Sequence, residues 1–197
     1  MKSIVALVSR AHGLNVLDAL IKSKNYEVVE VFTHKLNPKS QDSTRSVRSD
    51  FHNYLKKCKE NKIKMITIDS PNEEIKDLPD CDFIVEVSWR YLISRNITNR
   101  AKISAFGIHR GKLPEFAGVE PIKQALLKGK KEIVISAHYL SPKIDEGNVI
   151  YSKKYPVNYN PQYDLENNVQ RLRDEITPLF SKIMFKTLEI LGSSSKK

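Results

Sequence analysis

The feature that most limits what this chain can fold into is an alternation. Short, continuously apolar runs are followed by stretches whose apolar residues recur at helical spacing. "SIVALVS" precedes "LNVLDALIKS", in which Leu14, Leu17, Leu20 and Ile21 repeat on one face, with "RAHG" read as the loop between them. A strand with no polar alternation is buried on both faces, which is the condition of a parallel sheet covered by helices. "YEVVEVFTH", "IKMITID", "CDFIVEVSW" and "ISAFGIH" repeat the strand signal, and a helix is predicted over about Asp50 to Asn61. The expected class is α/β, an open and mostly parallel sheet with flanking helices.

The second half of the chain reads differently. "PIKQALLKG" predicts a helix ending at Gly129, and "EIVISAHYL" and "NVIYSKKYPV" predict two strands joined through "SPKIDEG". The last element places Leu165, Val169, Leu172, Ile176, Leu179, Ile183, Leu188 and Leu191 on one face, and Pro178 predicts a kink or break near Thr177. The polar segment "KLNPKSQDSTRSVRS" predicts a mobile surface loop. The 197 residues suffice for one compact unit, expected over 1–191 with a flexible tail at 192–197.

Composition narrows the function classes. The apolar runs are too short to span a bilayer, and no N-terminal leader pattern precedes them. Cys58 and Cys81 stand far apart without a C-x-x-C pairing, so the expected compartment is the cytoplasm and no metal site is expected. Thirty-three basic against 23 acidic residues give a net charge of +10. The lysines of "KKCKENKIK" and "KGKK" lack interleaved aromatics, which fits solvated faces rather than a nucleic-acid stripe.

The stretch "GIHRGKLPEFAGVEPIKQALLKGKKEIVISAHYLSPKIDEGNVI" carries the chemistry. It resembles the signature of the folate-dependent formyltransferases: N-x-H, then L-P, an aromatic, x-G, a helix, a strand ending near a second histidine, and D-x-G-x-I. The resemblance extends from the first strand through the last helix and implies a Rossmann-like domain with 10-formyltetrahydrofolate as formyl donor. It implies His109 as oxyanion donor or acid and Asp145 as the group that orients it and moves the amine's proton through water. Both lie at the carboxyl side of strands, where sheets of this class hold ligands. Formyl transfer to an amine also requires such a pair, because negative charge develops on oxygen while the nitrogen sheds a proton.

Further site residues follow from the same resemblance. Trp89, Arg90, Tyr91 and Leu92 border the folate pocket, and Tyr139, Leu140, Ile144 and Asp145 cover the pterin. Arg10, His12, Gly13 and Asn15 stand where relatives hold a phosphate at a helix N-terminus. Arg110 and Lys112 replace a Pro-Ser and place two cations beside the reaction centre, which suits an anionic acceptor. The expected partner is a small-molecule amine, glycinamide-ribonucleotide-like first and an amino-sugar nucleotide next. The length points away from the tRNA-formylating branch. His138 matches the family's second histidine and is read as a support for the Asp145 loop, and Glu86 is a carboxylate in an apolar strand that needs a partner.

One position departs from the family. Where relatives carry a catalytic asparagine, this chain has Gly107. Loss of one oxyanion donor costs on the order of 10²–10³ in rate. The readings left open are a slower enzyme, a replacement donor among Ser104, Arg110 and Lys112, a hydrolase of the formyl donor, or a folate- or nucleotide-binding module.

Overall fold

The computed structural model describes residues 1–76, 78–141, 143 and 145–194. Contacts divide the chain into two compact units, Met1–Ala105 and Phe106–Lys197.

The first unit is built on β1 (Lys2–Val8), β2 (Tyr26–Thr33), β3 (Lys64–Thr67), β4 (Cys81–Val87) and the opening of β5 (Ala101–His109). The strands β3-β2-β1-β4 run in that order and pair in parallel. Ile4 through Val8 of β1 are fully buried, as are Phe83, Ile84 and Val85 of β4. That continuous burial is what an inner parallel strand requires, and each such aliphatic side chain contributes about 1.5–3 kcal/mol on burial. Helices α1 (Arg10–Ile21) and α2 (Phe51–Glu60) flank the strands, and a short α3 (Arg95–Thr98), not foreseen from the sequence, precedes β5. Glu30 of β2 is buried and is answered across the ladder by Lys64 Nζ at 2.5 Å.

Two expectations for this unit are corrected. "RAHG" is not a loop: α1 begins at Arg10, and the Gly13 N–H donates to the Ser9 carbonyl at 3.2 Å as part of the helix. The 34–50 segment is also more ordered than its polarity suggests. Leu36 and Val47 form a bridge, the Asn37 N–H donates to the Ser46 carbonyl, and Asp42 accepts from the Thr44 and Ser46 backbones.

The second unit carries the end of β5, α4 (Pro121–Leu127), β6 (Glu132–Tyr139), β7 (Val149–Pro156) and α5 (Leu165–Ser194). Strands β5-β6-β7 pair antiparallel. With the parallel strands of the first unit, they make up the mostly parallel α/β class expected. Helix α5 packs on α4, β6 and β7 and buries Val169, Leu172, Ile176, Phe180, Ile183, Met184 and Leu188. It reaches Ser194, so residues 192–194 are helical rather than tail, and 195–197 lie outside the described residues. No described helix is long and apolar enough to cross a membrane.

Of the kink or break expected near Thr177, the break is absent, since α5 runs through Pro178. Tertiary burial on both sides of the proline outweighs the hydrogen bond it cannot donate. Pro178 itself is exposed, so its ring gains little from packing. Pro178→Ala should therefore raise the unfolding free energy by up to about 3 kcal/mol in urea titration.

Candidate active site

The second unit gathers the catalytic candidates. In the β5–β6 ladder, Gly107 pairs with His138 and His109 with Ser136. Directly paired residues and those two apart share a face. Gly107, His109, Ser136 and His138 therefore lie on one face, and Ser104 falls on the other, which removes it as a replacement donor.

The "LPEFAG" segment clamps this face at two points. His109 Nε2 lies 2.7 Å from the Phe116 carbonyl, and the Gly118 N–H donates to Asp145 Oδ2 at 2.9 Å. Gly118 has φ +82°, a conformation that glycine adopts without strain. Gly111 is required for space instead: a Cβ there would stand 2.6 Å from the Phe116 oxygen and 2.8 Å from His109 Nε2. The Gly111 carbonyl accepts from Ser136 Oγ at 2.9 Å, which fastens the loop to β6. Gly147 of "DEG" is equally constrained, because a Cβ would lie 1.7 Å from the Tyr139 oxygen. Neither Gly111 nor Ser136 stood out in the sequence, since their function is to shape the clamp.

Asp145 stands between two imidazoles. Its Oδ2 is 3.2 Å from His109 Nδ1 and its Oδ1 is 3.4 Å from His138 Nε2, the second contact lacking hydrogen-bond geometry. The other nitrogen of each ring faces a backbone carbonyl, Phe116 for His109 and Tyr139 for His138. A carbonyl can only accept, so the nitrogen facing it carries a proton and the remaining one points at the carboxylate. With both rings neutral, two lone pairs would face Asp145. Burial lowers the proton affinity of both histidines, and the Asp145 carboxylate and the two carbonyls partly restore it. The nearby Arg110 lowers the proton affinity of His109 further, and His109 does the same to His138.

Arg110 and Lys112 are not in this triad. They border a largely apolar cavity of about 100 Å³ that Gly111 and Phe116 also line, and Lys112 is paired with Glu115 at 3.3 Å. Tyr139 is 43% exposed at the end of β6, and Leu140 is half-buried. Ile144 lies outside the described residues.

In the first unit, the segment after β4 turns sharply at Ser88, a non-glycine residue with φ 60°. The Trp89 N–H donates to Glu86 Oε1 at 2.7 Å, which supplies the partner that Glu86 needed. Trp89 and Tyr91 form an edge-to-face pair with centroids 6.3 Å apart, and Leu92 is 63% exposed. This aromatic and aliphatic ledge suits a flat heterocycle. The sequence reading missed His34. It is fully buried beside Trp89 at 4.2 Å, its Nδ1 donates to the Ile68 carbonyl at 2.5 Å, and its Nε2 accepts from the Arg90 N–H at 3.2 Å. Its position directly after a buried parallel strand was the available signal. Arg10, His12, Gly13 and Asn15 sit on α1. His12 is buried, and Gly13 leaves room for Tyr54, whose hydroxyl would be 2.6 Å from a Cβ. The Gly13 N–H is engaged by the Ser9 carbonyl within the helix.

A formyl transferase model matches residues 1–183. The chain belongs to the formyl transferase family. Its sequence is 31% identical over 144 residues to the methionyl-tRNA formyltransferase of Mycoplasmopsis pulmonis, covering 72% of this chain and 48% of that enzyme. The chain thus spans about half the length of that relative. The fold is similar to that of phosphoribosylglycinamide formyltransferase from Anaplasma phagocytophilum, with TM-score 0.69, 17% identity, and coverage of 96% of this chain and 87% of that one. A sugar 3N-formyl transferase, crystallised in the presence of dTDP and 5-N-formyl-THF, matches with TM-score 0.59 and 22% identity over 96% of this chain and 63% of that one.

The His34 environment gives a pH dependence. Burial, opposed by the Ile68 carbonyl and reinforced by nearby arginines, lowers its pKa to about 3. The folded state requires the neutral ring, whereas the unfolded chain takes up a proton near the ordinary value of about 6.5. Stability from His34 is complete above about pH 6.5 and declines as pH falls towards 3. Between pH 7 and pH 5 the loss should be on the order of 2 kcal/mol. Urea unfolding followed by the fluorescence of Trp89, the single tryptophan, should show it, and His34→Gln should flatten the slope.

Proposed function

We propose that this chain transfers a formyl group from 10-formyltetrahydrofolate to the amine of a phosphorylated or nucleotide-linked small molecule, glycinamide-ribonucleotide-like first and amino-sugar nucleotide next. The observation that carries the reading is the Asp145 carboxylate held between His109 and His138 at 3.2 and 3.4 Å. The family model spans both compact units, which supports reading 1–191 as one formyltransferase-like domain.

When bound, 10-formyltetrahydrofolate supplies the formyl carbon. The residues of the first unit proposed to contact it are Trp89, Arg90, Tyr91 and Leu92. The chain's own groups manage charge and protons. His109 keeps a proton on Nε2, directed at the Phe116 carbonyl, and offers it to the oxygen that gains negative charge by exchanging one acceptor for the other. Asp145 accepts the amine's proton, and His138 bears part of the charge that results. Arg10, Arg110 and Lys112 favour an anionic acceptor.

A second reading rests on Gly107. This residue is buried opposite His138 and brings no amide to the face that carries His109. A weak transferase, a formyltetrahydrofolate hydrolase or a folate-binding module would each be consistent with that loss.

The full chain, incubated with 10-formyltetrahydrofolate and a panel of glycinamide ribonucleotide, amino-sugar nucleotides and methionyl-tRNA, should formylate one acceptor. Absence of both transfer and donor turnover would refute the proposal. His109→Ala should lower turnover by about 10² or more and leave folate affinity within a few-fold, because the loss falls on the transition state.

The glycine gives a separate test. Gly107 lies in a regular ladder, so asparagine is conformationally tolerated and its amide would project on the same face as His109. Gly107→Asn should raise transfer by up to about 10² without a lower melting temperature. A folded variant with slower transfer would mean that the substrate or water uses the space left by the glycine.

A further inference from the structure

We infer that the cavity between the "KLPEF" segment, α4 and β6 binds a small monocarboxylate with a branched or aromatic body, and that its occupant acts on His109 through Phe116. The cavity measures about 100 Å³ and lies wholly within the second unit. Gly111, Phe116, Pro121, Ala125, Ile133 and Val134 form its apolar wall, and Phe116, Ala125 and Ile133 are at most 4% exposed. His109, His138 and Asp145 are not among the described residues that line it, so it is separate from the space in which those groups meet. An apolar cavity of about 150 Å³ admits benzene, so this one admits a body of roughly four to six carbons.

The mouth selects the sign of the head group. Lys112 and Lys130 border it and share one carboxylate, Glu115, at 3.3 and 2.7 Å. Lys128 and Lys130 stand over the Phe116 ring, 5.0 and 5.7 Å from its centroid, and Lys128 has no ion pair among the described residues. Glu132, the other carboxylate at the cavity, is taken up by Lys154 at 2.6 Å, and Arg110 borders the cavity as well. A carboxylate seated at this mouth is drawn to the lysines while its body leaves water, whereas an amine is repelled. A mostly apolar lining with a few polar groups that fix orientation is the usual composition of a small-molecule site. Two residues join the cavity to the catalytic face. The Phe116 carbonyl lies 2.7 Å from His109 Nε2, and the Gly111 carbonyl accepts from Ser136 Oγ at 2.9 Å. Hydrogen bonds respond to shifts of a few tenths of an ångström, so an occupant that moves Phe116 changes the acceptor that His109 meets.

The inference does not rest on the transfer reaction, and its probes require no turnover. The full chain should be titrated with isovalerate and benzoate at constant ionic strength, by calorimetry and thermal unfolding. Acetate supplies the head group without the body, isovaleramide the body without the charge, and isopentylamine the opposite charge. At least one of the two probes should saturate with a raised melting temperature, at least about tenfold tighter than acetate and about fivefold tighter than isovaleramide. Ala125→Val, which adds methyl groups at the wall, and Lys130→Met, which removes an ammonium group from the mouth, should each weaken binding at least about fivefold. Wild type with 15N-labelled histidine needs no variant: the ring-nitrogen signals of His109 should shift on saturation, and those of His52, on α2 of the first unit, should not. Binding should persist at saturating folinate, whose own titration reports separately on the folate site. No saturation by either probe, acetate, isovaleramide or isopentylamine binding as tightly, both variants retaining wild-type affinity, or an unshifted His109 would overturn the inference. So would displacement by folinate, because the probe would then occupy the site already described.

Discussion

The second unit depends on one carboxylate. Asp145 accepts the Gly118 N–H and stands 3.2 and 3.4 Å from ring nitrogens of His109 and His138, so displacing it would take the carboxylate from beside both imidazoles and leave a backbone donor without its acceptor. Most of the surrounding sequence makes that convergence possible. Gly118 supplies the turn, Gly111 admits the Phe116 carbonyl to His109, and Gly147 lets the Asp145 loop pass close to Tyr139. The proton affinity of the two imidazoles is sensitive to these distances, since the Asp145 carboxylate raises both against the effect of burial. The chemistry open to the site is therefore decided by backbone geometry as much as by the titratable side chains.

The first unit solves a different problem. Its parallel strands bury nearly everything they carry, so polar groups collect where the strands end. His34, Glu86, Trp89 and Arg90 occupy those ends, where the Ile68 and Leu36 carbonyls and the Trp89 and Arg90 N–H groups are matched by side chains. His34 is kept neutral by burial and joins two such connections, one through each ring nitrogen. The guanidinium groups are less completely matched: Arg48 Nη1 and Arg90 Nε and Nη1 have no partner among the described residues.

The strands and most helices were legible in the sequence because apolar runs and helical spacing report burial directly. β4 and β5 fall where "CDFIVEVSW" and "ISAFGIH" place them, and the ladder sets His109 and His138 on a common face. The errors have physical causes. "RAHG" looks like a turn because of Gly13, yet that glycine serves close packing against Tyr54. The 34–50 segment reads as solvent-exposed from its polarity, yet Arg48 is buried within it and its Asp42 turns are internally hydrogen-bonded. Pro178 signals a kink or a break, and burial along α5 carries the helix through without the break.

By itself the sequence determined the order of strands and helices, the resemblance in "GIHRGKLPEFAG" and "DEG", and the departure at Gly107, because these depend on residue type and spacing along the chain. The tertiary structure decided which nitrogen of His109 meets Phe116 and which meets Asp145, that His138 stands beside the same carboxylate, and that His34 joins the Ile68 carbonyl to the Arg90 N–H. Those facts depend on directions and distances of a few ångströms between residues remote in sequence. Hydrogen bonding and charge respond to such distances, whereas hydrophobic patterning does not encode them.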